Sequence, residues 1–159
     1  MARLPIPRTV WTNPIHFLAF GFGAGTSPIA PGTCGTLIAV PLYLLLNHFS
    51  VFIYSIILLA VIIIGIGLCD VTERAVGIRD HSGIVWDEIA GFLLTMLAAP
   101  QGIKWIIIGF ILFRIFDIWK PQPIRWLDQH IHGGLGIMVD DLLAAVYAWI
   151  ILHILALFF

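Results

Sequence analysis

Val51-Phe-Ile-Tyr-Ser-Ile-Ile-Leu-Leu-Ala-Val-Ile-Ile-Ile-Gly-Ile-Gly-Leu-Cys69 runs for 19 residues without a charged side chain. A helix of that length, at about 1.5 Å per residue, is about 28 Å long, close to the ~30 Å hydrocarbon core of a bilayer. The stretch therefore reads as a membrane-spanning helix, and its surroundings agree. The 159-residue chain is 60% hydrophobic and 11% charged, with a mean hydropathy of +1.04, outside the range of soluble domains. No Asp, Glu, Lys or Arg occurs between Arg8 and Asp70.

Outward from that helix, apolar stretches run from about Thr36 to Leu46, Ile89 to Ala99, Ile103 to Trp119 and Leu142 to Phe159. Asn47–Ser50, Pro100-Gln101-Gly102 and two polar stretches, Asp70–Glu88 and Lys120–Asp141, separate them. Pro, Gly, Asn and Ser are the residues that end and cap helices. The expected fold is all-α: a single integral-membrane helical bundle over residues 1–159, with four to five apolar helices. The two stretches of about 11 residues are too short for a full span at ~1.5 Å per residue and suit re-entrant helices. Met1–Pro14 has Arg3 and Arg8 but three prolines and no unbroken apolar run before a small-residue cleavage site, so no cleaved signal peptide is expected. Cys34 and Cys69 are too isolated for a disulfide framework or a zinc site.

The charges carry the next step. If stretches one and two form a hairpin, as do three and four, both polar stretches and the Gly21–Gly35 loop return to one face. All nine carboxylates then share that face with most of the basic residues, leaving Lys104 opposite. The excess of Lys and Arg marks that side as cytoplasmic. Trp86, Trp119 and Trp126 cluster at the same boundary and Trp105 at the other, as interfacial anchors would. A net charge of -1 excludes nonspecific nucleic-acid binding, which needs a basic excess.

Asp87 and Glu88 stand at an expected helix start, and Asp140-Asp141 repeats the pattern before Leu142. Acids can favour a helix N-terminus, yet adjacent acids repel each other, and a hard cation such as Mg²⁺ with its preference for oxygen ligands relieves that repulsion. Arg114, Asp117 and Lys120, three residues apart, share one helix face ending at Pro121. They read either as an ion-pair ladder or, with Arg125, as a holder for an anionic headgroup. The glycine-rich segment Gly21–Gly35, with hydroxyls at Ser27, Thr33 and Thr36, suits either a phosphate cradle or close helix packing. His132-Gly-Gly-Leu-Gly136 has the same two readings. His81 and His132 are the histidines in the polar stretches able to pass a proton near neutral pH.

Absent signatures narrow the chemistry. The chain has no CxxxxxR loop, no DxDxT pair and no GK[ST] ending, which leaves metal-assisted attack by water. Two other classes fit the composition: an ion-coupled transporter or channel subunit, and a structural subunit whose charges only cap helices. The transporter reading expects carboxylates spread through the membrane depth, whereas here they gather at segment ends.

Taken together, GFGAGTSPIAPGTCG at 21–35, Asp80-His81 with Ile84-Val-Trp-Asp-Glu88, Phe113–Pro121 (FRIFDIWKP), Pro123–Trp126 (PIRW) and His132–Asp141 (HGGLGIMVDD) resemble the phosphatidylglycerophosphatase A family of bacterial membrane lipid phosphatases. The resemblance implies Mg²⁺-dependent hydrolysis of phosphatidylglycerophosphate to phosphatidylglycerol and phosphate, by a multi-pass protein of the inner membrane whose site faces the cytoplasm among membrane lipids. It implies metal binding by Asp87, Glu88, Asp117, Asp140 and Asp141, with Lys120, Arg125 and the loop around Thr33 holding phosphate; the residue types and their placement add catalytic work by Asp87, Glu88, Asp117, Asp141 and His81, and substrate contacts from Ser27, Arg114 and His132. Oligomeric state is not set by the sequence.

Overall fold

The computed structural model describes residues 6–159, so the charge at Arg3 lies outside the described residues. Within them the protein is all-helical. Its helices are α1 (Pro14–Ala19), α2 (Pro31–Leu46), α3 (Val51–Val76), α4 (Trp86–Thr95), α5 (Ile103–Trp119), α6 (Ile124–His130) and α7 (Gly133–Ala156).

Local chemistry sets most of the ends. The Asn13 side chain accepts the Ile15 N–H, and Ser50 accepts that of Ile53, satisfying donors that a helix start leaves open. Pro31 takes the first turn of α2, where its missing N–H costs nothing. Gly77, at φ +70°, ends α3 in the left-handed conformation.

Two boundaries depart from the expected ones. α3 continues past Cys69 to Val76, because Asp70 and Arg74 pair across one turn at 2.9 Å and carry the helix beyond its apolar length. α7 begins at Gly133, so Asp140 and Asp141 lie about two turns inside it and do not open it. The glycines there serve as a packing surface: a β-carbon at Gly134 would collide with the Ile66 carbonyl of α3. The polar stretch after Lys120 also holds a helix of its own, α6.

α7 packs against α3, α4, α5 and α6, with Ala144, Ala145, Ala148 and Leu152 fully buried. α4 touches α2, α3, α5 and α7. These neighbours enclose it on nearly every side although its first turn carries Asp87 and Glu88. Ile89, Ala90, Phe92 and Leu93 are buried, and at ten residues it is only about 15 Å long. Neighbouring contacts give the directions. The Tyr54 hydroxyl near the start of α3 donates to the Leu93 carbonyl near the end of α4. Trp149 Nε1, late in α7, donates to the Leu97 carbonyl just beyond α4. The starts of α4 and α7 therefore point to the opposite end of the bundle from the start of α3.

The outer surface is apolar. Phe52, Ile56, Leu59 and Ile63 of α3 and Ile107, Ile111, Ile115 and Ile118 of α5 are exposed, forming stripes that face away from the core. Two helices, α3 and α7, are long and apolar enough to cross a membrane. Of the four to five apolar helices expected, two have that length; α2, α4 and α5 fall short of it. The tryptophans divide. Trp119 and Trp126 are exposed at the charged end, whereas Trp86 is buried with its Nε1 donating to the Val61 carbonyl at 3.1 Å, and Trp105 is buried as well. Interfacial anchoring therefore does not account for Trp86; its ring fills the space left open by Gly65 of α3.

Candidate active site

The charged end of the bundle contains a cavity of about 280 Å³ walled by α2, α4, α5, α7 and the loop before α4. α4 supplies Asp87 and Glu88 at its first turn, α5 supplies Arg114 and Asp117, Lys120 caps α5, and α7 supplies Asp140 and Asp141. The parity of the hairpins brings these segments to one end. The depth of α4 puts its two acids in the interior.

Three carboxylates converge. One oxygen each from Asp87, Glu88 and Asp141 lies within 4.8 Å of the others. Asp87 and Asp141 are buried, with 8% and 3% exposure, and the Glu88 side chain is 13% exposed. Asp87 Oδ1, Glu88 Oε2 and Asp141 Oδ2 are buried without hydrogen-bond partners among the described residues. Like-charged, unpaired acceptors this deep are costly, and a divalent cation bound by oxygen ligands removes the cost. The donor set fits a hard ion such as Mg²⁺; among the described residues no histidine or cysteine completes the trio as zinc would prefer.

The other two predicted ligands line the same cavity with cationic partners. Asp117 Oδ2 pairs with Arg114 Nη1 at 2.5 Å, and the same guanidinium nitrogen lies 3.8 Å from Glu88 Oε1. Asp140 Oδ2 accepts from Lys120 Nζ at 2.5 Å, and Asp128 Oδ1 accepts from the same ammonium at 2.9 Å. Partial burial alone would lower the Lys120 pKa. Asp140 and Asp128 outweigh it and raise the pKa above its ordinary value, so the ammonium is held charged at neutral pH. Arg114 Nε is buried without a hydrogen-bond partner among the described residues. One cavity therefore holds both unsatisfied acceptors and an unsatisfied cationic donor.

The glycine-rich segment contributes backbone. Ala30, Pro31 and Gly32 line the cavity, so the positive end of the α2 dipole faces it. Gly32 sits against Glu88, and a β-carbon there would collide with Glu88 Oε1. The predicted hydroxyls do not reach the wall. Ser27 Oγ donates to the Ile29 carbonyl at 2.9 Å, Thr36 Oγ1 donates to the Gly32 carbonyl at 3.0 Å, and Thr33 lies outside the lining.

Three further candidates are placed apart from the carboxylate trio. Arg125 is exposed on α6, outside the lining. His132 belongs to a second cavity of about 380 Å³ that shares Asp80 and Asp140 with the first, and its Nδ1 is 2.8 Å from Arg79 Nη2. His81 is buried at 3% exposure beside Phe20, its Nδ1 accepting the Gly83 N–H at 2.9 Å. With that nitrogen engaged as acceptor, the ring shapes the loop that delivers Ser82 and Ile84 to the cavity wall.

Ser82 and Asp128 carry no signal in the sequence, whereas Asp80 and Gly32 lie in motifs the sequence shows without an individual role. Ala30, Asp80 and Lys120 share another property: each is a non-glycine residue at positive φ, +46°, +48° and +44°. Such conformations cost of order 1–3 kcal/mol each and gather where function holds them. All three line this one cavity.

Comparison with known proteins follows the same residues. The family model for Phosphatidylglycerophosphatase A matches residues 17–156. A protein of that name from Escherichia coli (strain K12) is 46% identical over 92% of this chain and 86% of its own length. Another, from Haemophilus influenzae, is 44% identical over 92% of this chain and 91% of its own. A Bacteroides thetaiotaomicron relative, provisionally named a phosphatidylinositol-3-phosphatase, is 40% identical over 84% of this chain and 88% of its own. No solved structure matches. With the match covering the glycine-rich segment, the α4 acids, α5 and the two aspartates of α7, the chain belongs to the phosphatidylglycerophosphatase A family.

Proposed function

We propose that the buried carboxylates of Asp87, Glu88 and Asp141 hold a magnesium ion, and that Arg114, Lys120 and the α2 N-terminus receive the substrate phosphate beside it. The reaction is that of the family: the protein is a phosphomonoester hydrolase that converts phosphatidylglycerophosphate to phosphatidylglycerol and phosphate in phospholipid synthesis. The observation that carries the site is the pairing of unsatisfied groups. Among the described residues four carboxylate oxygens, on Asp87, Glu88, Asp140 and Asp141, lack donors and Arg114 Nε lacks an acceptor around one cavity, and a cation with a phosphate satisfies both kinds of group at once.

A bound Mg²⁺ supplies Lewis acidity, polarising a phosphoryl oxygen and acidifying water. The chain's own residues do the rest. Arg114 offers a donor to a phosphate oxygen in charge-assisted geometry. Lys120 offsets charge that grows on the phosphoryl oxygens in the transition state. Asp117 and Asp140 hold those two cations in place, and whichever cradle carboxylate is not fully engaged accepts the proton of the attacking water. His81 fixes the Gly83 turn, and His132 and Arg79 border the adjoining cavity.

The chain is read as a multi-pass protein of the bacterial inner membrane with its site at the cytoplasmic boundary. Support comes from the apolar stripes of α3 and α5, the gathering of acids and most bases at one end, and the positive-inside rule. A lipid substrate then keeps its acyl chains in the bilayer and presents only its headgroup to the cavity. The transporter reading is disfavoured by carboxylates confined to one end of the bundle. Incubating purified protein with phosphatidylglycerophosphate in mixed micelles tests the reading: phosphatidylglycerol and equimolar phosphate are expected, and an unchanged substrate would overturn it.

A further inference from the structure

Beyond the identity of the metal lies the question of how many ions the cavity takes. Six carboxylates line it, Asp80, Asp87, Glu88, Asp117, Asp140 and Asp141. Many phosphoryl-transfer sites with such a density of acids hold two metal ions about 3.5–4 Å apart, one for each of the oxygens that attack and leave. Here the protein has filled part of that demand with its own cations.

The division is visible along α7. Asp141 turns toward Asp87 and Glu88, and its Oδ2 is buried and unpartnered. Asp140, the preceding residue, turns to Lys120, whose ammonium is shared with Asp128 of α6. Lys120 reaches that position from the end of α5 through a left-handed backbone conformation, φ +44°. On the other flank, Arg114 occupies Asp117. Among the described residues, Asp87, Glu88 and Asp141 are the carboxylates whose oxygens converge, and the cation nearest them is the guanidinium 3.8 Å from Glu88; Asp140 has Oδ2 on Lys120 and its Oδ1 buried without a donor.

We infer that this is a one-metal centre in which the Lys120 ammonium, seated between Asp128 and Asp140, stands in the place of a second divalent cation. The inference rests on the cation reading of the cradle and adds its stoichiometry. It also assigns Asp128 as a positioning residue, acting through Lys120. An ammonium carries one charge and cannot acidify water as a metal does, so the nucleophile must be generated at the Asp87–Glu88–Asp141 side and the phosphoryl charge balanced at the Lys120 side.

Mn²⁺ serves as the probe, since it prefers the same oxygen ligands and is paramagnetic. Equilibrium binding and electron paramagnetic resonance on the purified full-length protein are expected to give one tight Mn²⁺ per chain, with no spin-coupled pair. Asp87→Asn should abolish that tight site. Lys120→Met, which leaves Asp128 and Asp140 facing each other unneutralised, should raise the count to two, and Lys120→Arg should keep it at one. Two coupled ions in the wild type would overturn the inference while leaving the cradle reading intact; no tight ion in the wild type would overturn both. A Lys120→Met protein that folds, judged by its helical circular dichroism, yet still binds one ion would show that the ammonium does not occupy a cation position. If Lys120→Met does not fold, the wild-type count and Asp128→Asn decide: the latter retains one Mn²⁺ with weakened turnover if Asp128 only positions Lys120, and loses it if Asp128 is a ligand.

Discussion

Gly32, at the start of α2, stands directly against the carboxylate of Glu88, at the start of α4, so closely that a β-carbon at position 32 would collide with Glu88 Oε1 and crowd Arg114 Nη1 at 3.2 Å. The glycine-rich segment thus acts on the site through a missing side chain. The Ser27 and Thr36 hydroxyls donate to the Ile29 and Gly32 carbonyls.

Gly32→Ala is accordingly expected to cut phosphatase activity on the order of 100-fold, because displacing a catalytic group by about 1 Å costs that much. Helical circular dichroism should be unchanged, since alanine is a better helix former than glycine. Wild-type turnover would show that Glu88 is not held in its working position by this contact.

Arg114 has both a structural and a chemical part, and two variants separate them. Arg114→Met leaves Asp117 and Glu88 without their guanidinium and should destabilise the protein by about 3–5 kcal/mol, the usual cost of stranding a buried charge. Arg114→Met with Asp117→Leu should recover much of the thermal stability in detergent while activity stays low. Recovery of activity along with stability would confine Arg114 to a packing role.

Much of this arrangement was legible in the chain, and what was hidden has physical causes. The absence of charge from Val51 to Cys69 and the grouping of acids at segment ends depend on hydropathy alone, which reports membrane depth well. The apolar run from Leu142 suggests a helix that opens at Asp140-Asp141; it starts at Gly133 instead, because packing of Gly134 on α3 overrides the weak helix preference of glycine. The burial of α4 comes from the helices packed around it and not from its composition, since it is less apolar than α3 and carries Asp87, Glu88 and Thr95. Asp128, by contrast, sits in a polar stretch like any surface acid, and only the turn between α5 and α6 brings it to Lys120. The division of five acids into three converging and two paired depends on side-chain direction, which spacing does not encode.

For His81 the geometry predicts a loop-shaping role. His81→Asn, whose side-chain oxygen can accept the Gly83 N–H in place of Nδ1, should keep activity within about tenfold of wild type, the loss of one neutral hydrogen bond being about 1 kcal/mol. His81→Phe should lower thermal stability. Loss of activity by His81→Asn with stability intact would instead make the histidine an acid or base in the reaction.

Sidedness is open to labelling. In a Cys34→Ser, Cys69→Ala background, cysteines at Gly77 and Gln129 should react with a membrane-impermeant reagent only from the cytoplasm, and one at Gln101 only from the far side. Labelling of positions 77 and 129 from opposite sides would contradict a common site for α4, α5 and α7.

The central claim is that the carboxylate cradle works by holding a divalent cation. Phosphate release from phosphatidylglycerophosphate by purified wild type and Asp141→Asn, titrated with Mg²⁺ after chelation, tests it most directly. The wild type should be inactive without added Mg²⁺ and recover fully in a saturable manner. Asp141→Asn should be at least about 100-fold slower at any Mg²⁺ concentration, since even outer-shell partners of a metal site cost 10–100-fold. Full activity of the chelated wild type, or wild-type activity of Asp141→Asn, would contradict the account.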